Sequence, residues 1–529
     1  MGTRADGITS QTSGAEHHFK EMIGSDPFDY TSGRWLRLDD EQRKARRVTF
    51  NIHQLLKRVL SLSPSAVSIQ SCRKLEGGFS KVFVFTTNDG KQLIAKFPTS
   101  VAGPPEQVTN SEVATMTYLK SHTKIPIPEV LDWSDDPSNP IGSAYIIMEH
   151  ADGISLDQAW PKMTVPQRIK CVGSITKQIT EMSRINFPAY GSLYFSDASF
   201  LQHQSSYPVD KKYSIGPSCG VIYWDRDIGH RKYYHYAKPN RGPWRDISEY
   251  TSALIDAGLG RLPPPEQVAS KWQRPFQGSV DEHIQLLHSG SKVLQQLANN
   301  IHIQNNKAPT MFHGDLNKRN IFVSAQDPMV ATSFIDWQLT RVEPAFYYAD
   351  QVPDFASLSI TSEETQADDK LSEGSELSTL CSQAYVAGLG ILSPRLNNAR
   401  NVDETLLRPF RYCHRTWRDS IVPFTYELLE LQKYWNTLGF QEPCSLPSDF
   451  MSSDRARVYR EREETFNDFL EIKKDLLEMV ETEDDGWVFP ELFEEKKSLN
   501  QSLYETIMSD IEGESDRKDM ESAWPLDHD

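Results

Sequence analysis

The sequence predicts an α+β fold with two lobes, a small antiparallel sheet followed by a larger and mainly helical lobe. Before Asp89-Gly90, Val82, Val84 and Thr86 fall on one face of a run whose other face carries Phe83 and Phe85. The segment Gln92–Phe97 returns after this turn, which is the pattern of two strands joined by a tight turn. Residues 466 to 479 instead repeat apolar side chains every three or four positions, which indicates a packed helix. A chain of 529 residues is too long for one core, so the sheet and the helices are expected to form separate lobes.

A loop with two adjacent glycines leads into this strand pair. The loop Gly77-Gly78-Phe79-Ser80 precedes the alternating run Val82 to Thr86, and the returning strand carries Lys96. A glycine loop between two strands can fold over a triphosphate, with a lysine on the second strand reaching the α- and β-phosphates. Taken alone, a loop with only two glycines is more typical of an ordinary hairpin.

The next segment is a helix with a carboxylate on its apolar face. Glu112, Met116 and Leu119 lie at positions i, i+4 and i+7. A carboxylate turned toward a core needs a partner, because burial of an unpaired charge is costly. Lys96 is the partner that a kinase would supply, so we predict a Lys96–Glu112 ion pair. The alternative is a solvated glutamate near the helix N-terminus.

An apolar strand and a turn follow. Residues 144 to 148 are apolar, and Glu149-His150-Ala151 leads into Asp152-Gly153. If the chain has two lobes with a nucleotide between them, this strand end is the hinge that holds the adenine. The backbone groups of Glu149, His150 and Ala151 are the predicted contacts. By itself the pattern indicates only a strand followed by a turn.

The second half of the chain supplies a complete set of polar groups for phosphoryl transfer. His313-Gly314-Asp315 is followed by Asn320, and Asp336 follows a short apolar segment. In kinases, the first aspartate of such a series accepts the proton of the attacking hydroxyl. The asparagine and the second aspartate hold magnesium on the nucleotide phosphates. We therefore predict Asp315 as the catalytic base and Asn320 and Asp336 as the metal ligands.

These elements, in this order, resemble the aminoglycoside phosphotransferase family, the kinase-like enzymes that phosphorylate small molecules. The resemblance covers roughly residues 70 to 350. A closer likeness, to a fungal group named for altered inheritance of mitochondria, is carried by Phe28–Leu36, Arg241–Trp244 and Ile335–Gln338. The resemblance implies a bilobal protein-kinase-like fold with a small antiparallel-sheet N-lobe and a larger, mainly helical C-lobe.

The function implied is Mg-assisted transfer of the γ-phosphoryl group of ATP to a hydroxyl of a small molecule, with Lys96 and Glu112 in the catalytic set. One alternative is a nucleotide-binding pseudokinase that serves as a scaffold in mitochondrial maintenance. A second alternative is a protein kinase. No Ala-Pro-Glu segment follows Asp336, which leaves little platform for a peptide substrate and favours a small molecule. The acceptor and the oligomeric state stay open.

The composition excludes some partners. The net charge of −17 argues against nucleic acid and anionic membrane surfaces as main partners, because such binding requires a basic face. It is compatible with a cationic substrate, but a solvated acidic surface is the favoured explanation. No apolar run approaches the 18 residues of a membrane span.

Six scattered cysteines, without a Cys-x-x-Cys pair, predict reduced thiols and no zinc site. The first 20 residues are a poor mitochondrial transit peptide, because they contain acidic residues and no Arg-rich face. A mitochondrial location is thus implied by the resemblance alone, and the cytoplasm is the alternative.

The chain divides into five predicted segments. Residues 1–27 are expected to be a disordered N-terminus, residues 28–62 an arm with a helix, and residues 63–150 the N-lobe with the hinge. Residues 151–480 are expected to form the helical C-lobe, which includes the catalytic loop and an aromatic insertion at residues 223–236. Residues 481–529 are predicted to be an acidic tail.

Overall fold

The computed structural model describes residues 16–224, 228–268, 274–357, 368–450 and 452–528. It has the two predicted lobes, an antiparallel five-stranded sheet near the N-terminus and a larger helical part after it. The α+β class and the bilobal arrangement are therefore confirmed. No helix in these ranges is long and apolar enough to cross a membrane.

The small lobe is built on the five-stranded sheet. In spatial order its strands are Ile69–Glu76, Ser80–Thr87, Gln92–Pro98, Tyr145–Glu149 and Val130–Ser134. All neighbouring strands are antiparallel, and Lys96 pairs with Val82 on one side and Ile146 on the other. This register puts Lys96 in the middle of the sheet, where the surrounding strands fix its backbone.

Helices cover both faces of this sheet. One face packs against helix Ile52–Ser61, which follows helix Asp39–Ala45 in the chain, and the other face carries the long helix Pro105–His122. Asn51 begins helix Ile52–Ser61, because its side chain accepts a hydrogen bond from the Gln54 amide at 3.1 Å. The long helix is buried along most of its length, which brings Glu112 beneath the sheet.

The large lobe contains helices and three small sheets. Its helices are Leu156–Ala159, Val165–Met182, Ile247–Leu259, Val280–Asn299, Ile301–Asn306, Ala345–Tyr348, Asp368–Leu392, Pro394–Arg400, Glu404–Tyr412, Thr416–Asp419, Ile421–Lys433 and Ser453–Val480. The three sheets are formed by Ser192–Phe195 with Tyr207–Pro208 and Tyr213–Gly216, by Pro309–Phe312 with Arg341–Pro344, and by Ile154–Ser155 with Ile321–Val323 and Ala331–Phe334. The last two sheets hold the segments that carry Asp315, Asn320 and Asp336.

The apolar pattern between residues 466 and 479 is only partly buried. Phe466 and Leu476 lie in the core, and Phe466 packs on Phe276 with ring centroids 5.4 Å apart. Met479, predicted on the same packed face, is 58% exposed. In the aromatic insertion, Tyr223 and Trp224 are buried, so these rings pack the insertion against the lobe.

The predicted disorder of residues 1–27 is wrong for the part that the structure describes. Residues 16–23 are helical, and Phe19 is fully buried against Phe83 and Phe85, with ring centroids 5.6 and 6.2 Å away. One aromatic side chain in a polar segment gives no periodic signal, which is why the sequence pattern missed this helix. Residues 1–15 lie outside the described ranges.

The predicted acidic tail is also folded. It contains the helices Phe493–Asp510 and Glu514–Ala523, and the strand Trp487–Val488 pairs with Arg34–Trp35 of the N-terminal arm. Trp524 is buried in a small core, and the Asp527 amide donates to the Leu36 carbonyl at 2.8 Å. The acidic residues are on the outer faces of these helices. The acidic composition therefore gave no indication of the few apolar side chains that anchor the segment.

The polar and acidic composition of residues 361–370 predicts a surface loop, but residues 361–367 lie outside the described ranges. From Asp368 onward the chain is helical, within Asp368–Leu392. All six cysteines are free thiols, and five of them are buried.

Candidate active site

Lys96 and Glu112 form the predicted ion pair. Lys96 Nζ lies 2.6 Å from Glu112 Oε1, and their side chains are 5% and 3% exposed. The sheet holds Lys96 from one side and the long helix presents Glu112 from the other. A buried carboxylate therefore has its counter-charge, and the pair connects the sheet rigidly to the helix.

Lys96 has a second partner from the other lobe. Its Nζ donates to Asp336 Oδ1 at 2.7 Å, so one ammonium joins two carboxylates that are 224 residues apart in the sequence (336 − 112). Burial opposes the charged amine, but the two carboxylates raise the pKa of Lys96 above its usual value. Burial also opposes ionisation of Asp336, and the charge of Lys96 outweighs it and lowers the pKa of Asp336. Lys96 and Asp336 are therefore charged at neutral pH.

Asp315 is exposed, and two asparagines hold its carboxylate. Asn317 Nδ2 donates to Asp315 Oδ1 at 2.7 Å, and Asn320 Nδ2 donates to Asp315 Oδ2 at 3.0 Å and to the Asp315 carbonyl at 2.8 Å. Both oxygens are thus fixed in direction while the group stays accessible. The role of Asn317 was not predicted, because the sequence does not show the direction of an asparagine side chain that lies between motif positions.

His313 connects this loop to the segment before Asp336. Its Nε2 lies 3.0 Å from the Ile335 carbonyl, and its Nδ1 lies 3.1 Å from the Asp315 amide. Burial lowers the pKa of His313, so the ring is neutral. In that state Nε2–H donates to Ile335 and Nδ1 accepts from Asp315, which fixes the tautomer. The ring thereby sets the distance between the Asp315 loop and the strand end that carries Asp336.

Asn320 and Asp336 lie at the ends of one hairpin. Ile321 pairs with Phe334, and the Ile335 amide donates to the Asn320 carbonyl at 3.0 Å, which places Asp336 next in line. Asp336 has a φ of 61°, an uncommon conformation for a residue with a side chain and one that is found at functional sites.

The oxygens at this hairpin suit magnesium. Asp336 Oδ1 accepts a hydrogen bond from Lys96 Nζ. Asp336 Oδ2 and Asn320 Oδ1 accept no hydrogen bond from any described residue. Magnesium is a hard cation that binds in nucleotide sites through one or two protein oxygens, with phosphates and water completing its shell. In the described ranges, no three His, Cys, Asp or Glu side chains converge as a metal cluster. The site thus fits a cation shared with phosphates.

The glycine loop is tied to the second aspartate segment. The Gly77 amide donates to the Ser80 carbonyl at 3.0 Å and closes the turn, while a Cβ placed on Gly78 would meet no atom within 4 Å. The Phe79 carbonyl accepts from the Thr99 amide at 2.9 Å and from Gln338 Nε2 at 3.2 Å. Gln338, two residues after Asp336, was not predicted as a site residue, yet it fixes the loop relative to that aspartate. The phosphate contacts of Gly77 to Ser80 stay a prediction.

The hinge offers fewer free backbone groups than expected. The Glu149 amide already donates to the Glu129 carbonyl at 3.0 Å, and His150 Nδ1 lies 2.8 Å from the Ala151 carbonyl. In the described structure neither the His150 amide nor the Ala151 amide has a protein acceptor, so both remain available to a ligand. Adenine binding at Glu149, His150 and Ala151 stays a prediction.

Comparisons with known proteins identify the family of the chain. Residues 71–358, more than half of the chain, match the phosphotransferase enzyme family (APH), which confirms the resemblance inferred from the motifs. A subtelomeric hrmA-associated cluster protein of Aspergillus fumigatus is 32% identical over 311 residues, covering 52% of this chain and 58% of that protein. The alignment therefore spans less than two thirds of that relative.

Two further relatives extend the comparison. The altered inheritance of mitochondria protein 9, mitochondrial, of Yarrowia lipolytica is 22% identical over 517 residues, covering 88% of this chain and 85% of that protein. The crystal structure of ADP-bound aminoglycoside phosphotransferase APH(2'')-Ib aligns with 70% of this chain and 98% of its own, at 13% identity and a TM-score of 0.33.

The burial of Glu112 makes Lys96→Met a sharp test of the ion pair. The substitution removes the counter-charge of Glu112 at nearly constant volume, so we expect the free energy of unfolding to fall by about 3 kcal/mol at pH 7. Burial already raises the pKa of Glu112, and loss of Lys96 raises it further. A carboxyl with a raised folded-state pKa binds its proton more tightly in the folded state, so the loss shrinks as the pH is lowered toward 5.

Urea unfolding at pH 5 and pH 7 measures this loss. Lys120→Met is the matched control, because Lys120 pairs with Glu129 at the surface, where both side chains are exposed. That variant should change stability by less than about 1 kcal/mol at either pH. Equal losses for the two variants would contradict a buried ion pair at Lys96.

Proposed function

Because the chain belongs to the phosphotransferase enzyme family, we propose that it transfers the γ-phosphoryl group of ATP to a hydroxyl of a small molecule. The observation that carries this proposal is the position of Lys96 between Glu112 and Asp336. An ammonium fixed by one carboxylate and adjacent to a second is suited to bind phosphate oxygens next to a metal. Glu112 is then a positioning residue that aims Lys96 at the α- and β-phosphates.

The metal in this proposal is magnesium. Asn320 and Asp336 would hold it through the two oxygens that no described residue occupies, and the ion would neutralise phosphate charge. The adenine would lie against the hinge, where the Ala151 amide is available as a donor. Gly77, Gly78, Phe79 and Ser80 would cover the phosphates, with Gln338 holding the loop in place.

Asp315 is the proposed base. The acceptor oxygen forms a bond to the γ-phosphorus while the bond from that phosphorus to the β,γ-bridging oxygen breaks, and Asp315 accepts the hydroxyl proton. Asn317 and Asn320 orient the Asp315 carboxylate, so its direction is set before the acceptor arrives. Such preorganisation is the main contribution of a protein to phosphoryl transfer.

A small acceptor is favoured over a peptide by the chain that follows Asp336. Only residues 337–340 separate Asp336 from the strand Arg341–Pro344, which leads directly into the helix Ala345–Tyr348. This short connection leaves no extended segment on which a protein substrate could lie. The acceptor is therefore proposed to be a small molecule that enters the cleft.

Turnover of ATP with magnesium, measured against a panel of small hydroxyl compounds, tests the proposal. We expect at least one compound to stimulate ATP consumption, and Asp315→Asn to reduce the stimulated rate by about 10²- to 10⁴-fold because the base is lost. Asp327→Asn, in the turn between Ile321–Val323 and Ala331–Phe334, is the matched carboxylate control and should retain the rate. Full activity in Asp315→Asn would contradict the assignment. ATP binding without turnover would favour the scaffold.

We also propose that the protein acts in mitochondria. The support is the name of the Yarrowia lipolytica relative, which calls it mitochondrial and whose alignment covers 88% of this chain. A C-terminal fluorescent fusion expressed in a fungal cell should co-localise with a mitochondrial marker. A diffuse cytosolic signal from an intact fusion would contradict this location.

A further inference from the structure

A large basic cavity lies between the glycine loop, the N-terminal arm and the helices of the large lobe. Its volume is about 880 Å³. Phe79 is the residue of the proposed nucleotide site that lines it, and Asp315, Asn320 and Asp336 lie outside its walls. Six arginines line the cavity: Arg37, Arg46, Arg261, Arg274, Arg415 and Arg418.

The carboxylates in the cavity wall are largely engaged. Asp419 accepts from Arg415 at 2.6 Å and lies 3.4 Å from Arg418, and Asp484 pairs with Lys473 at 3.1 Å. Glu427 is bound by an arginine from outside the cavity, with Arg408 Nε 2.7 Å from its Oε2. Asp485, also in the wall, accepts from Trp35 Nε1 at 3.0 Å, and its charge partly offsets that of Arg46, whereas no described acid acts on Arg274.

Arg274 carries the least compensated charge of this wall, and the charge of Arg46 is only partly offset by Asp485. In the described structure neither guanidinium has a carboxylate within 4.0 Å, and Arg46, only 7% exposed, has an Nε without any hydrogen-bond partner. Arg274 Nε donates to the Ser522 carbonyl at 3.1 Å. Burial, together with the neighbouring charge of Arg37, lowers the pKa of Arg274 to about 10. Arg46 is buried and Arg274 is half-buried, and a cation withdrawn from water without a carboxylate partner is costly, so a complementary anion would stabilise this wall.

We propose that this cavity binds a small molecule that carries at least two phosphate or carboxylate groups on an apolar body. Guanidinium groups match phosphate and carboxylate oxygens in charge and geometry. Apolar and aromatic side chains such as Leu38, Phe466 and Phe469 form the rest of the wall, and the volume is that of a small-molecule site. The net charge of the chain is −17, so this basic surface is a local exception and not a general property. The inference concerns binding and does not depend on the proposed transfer reaction.

Calorimetric titration with inorganic pyrophosphate, in the presence of a chelator, tests this site. Removing magnesium weakens binding of phosphates in the nucleotide site, where a cation is needed to share their charge. The wild-type protein should bind pyrophosphate saturably. Arg274→Gln should weaken binding about tenfold or more, because a charge-assisted contact is lost. Arg37→Gln, at the same wall, is a second variant should Arg274→Gln fail to fold.

Two controls separate the cavity from other sites. Arg457 lies on the same helix as Phe466, but it is outside the cavity and 65% exposed. The Arg457→Gln protein should therefore bind pyrophosphate as tightly as the wild type. Lys96→Met should also retain binding, because Lys96 is not part of the cavity. Absence of saturable binding in the wild type would overturn the inference. Loss of binding in Lys96→Met, with binding retained in the cavity variants, would also overturn it, because pyrophosphate would then occupy the nucleotide site.

Discussion

The position of one buried ammonium group determines how the two lobes meet. Lys96 is fixed by the sheet, paired with Glu112 from the long helix and bound to Asp336 from the large lobe. Each of the three groups would be costly to bury alone, whereas together they satisfy one another. Strand, helix and hairpin therefore meet at one point, and their shared ion pairs stabilise this arrangement. The same point is where a triphosphate and its metal would be bound.

Hydrogen bonds connect the Lys96 cluster to the other residues of the site. His313 links the Asp315 loop to the strand end before Asp336, and Gln338 links the glycine loop to the residues after it. Asp315 is therefore positioned by backbone and side-chain contacts that begin at Asp336. The residues proposed for proton transfer, metal binding and phosphate binding form one connected unit.

The N-terminal arm adds a second buried charge cluster beneath the glycine loop. Glu76, the residue before Gly77, lies 3.3 Å from both Lys74 and Lys81, and its Oε2 accepts from the Thr31 amide at 2.8 Å. Burial lowers the pKa of Lys81 to about 8, so this charge is only just retained at neutral pH. The arm thus holds the strand ends that support the glycine loop.

The sequence predicted those parts of the site whose signal is local. Lys96 and Glu112 were found because a charge on an apolar helix face needs a partner, and Asp315, Asn320 and Asp336 because their order matches a known chemistry. Asn317 and Gln338 were missed, since their roles depend on side-chain direction. The helix at residues 16–23 and the folded C-terminal segment were missed because a few anchoring side chains, such as Phe19 and Trp524, are hidden among polar ones.

The basic cavity could not be predicted from sequence for a different reason. Its walls come from the arm, the glycine loop, the insertion and the C-terminal helices, which are distant in the chain and meet only after folding. One of its arginines, Arg46, lies in the basic run of residues 43–47, but the others are spread over distant segments, and the overall acidity of the chain gives no indication of a basic cavity.

Magnesium-dependent ATP binding to Glu112→Gln, measured by calorimetry, tests most directly whether the Lys96 cluster organises the nucleotide site. In the proposed site Glu112 does not contact the nucleotide, yet it fixes the amine that does. Affinity should therefore fall about tenfold relative to the wild type while the variant stays folded. Unchanged affinity in a folded Glu112→Gln protein would contradict the claim that this ion pair positions Lys96 for phosphate.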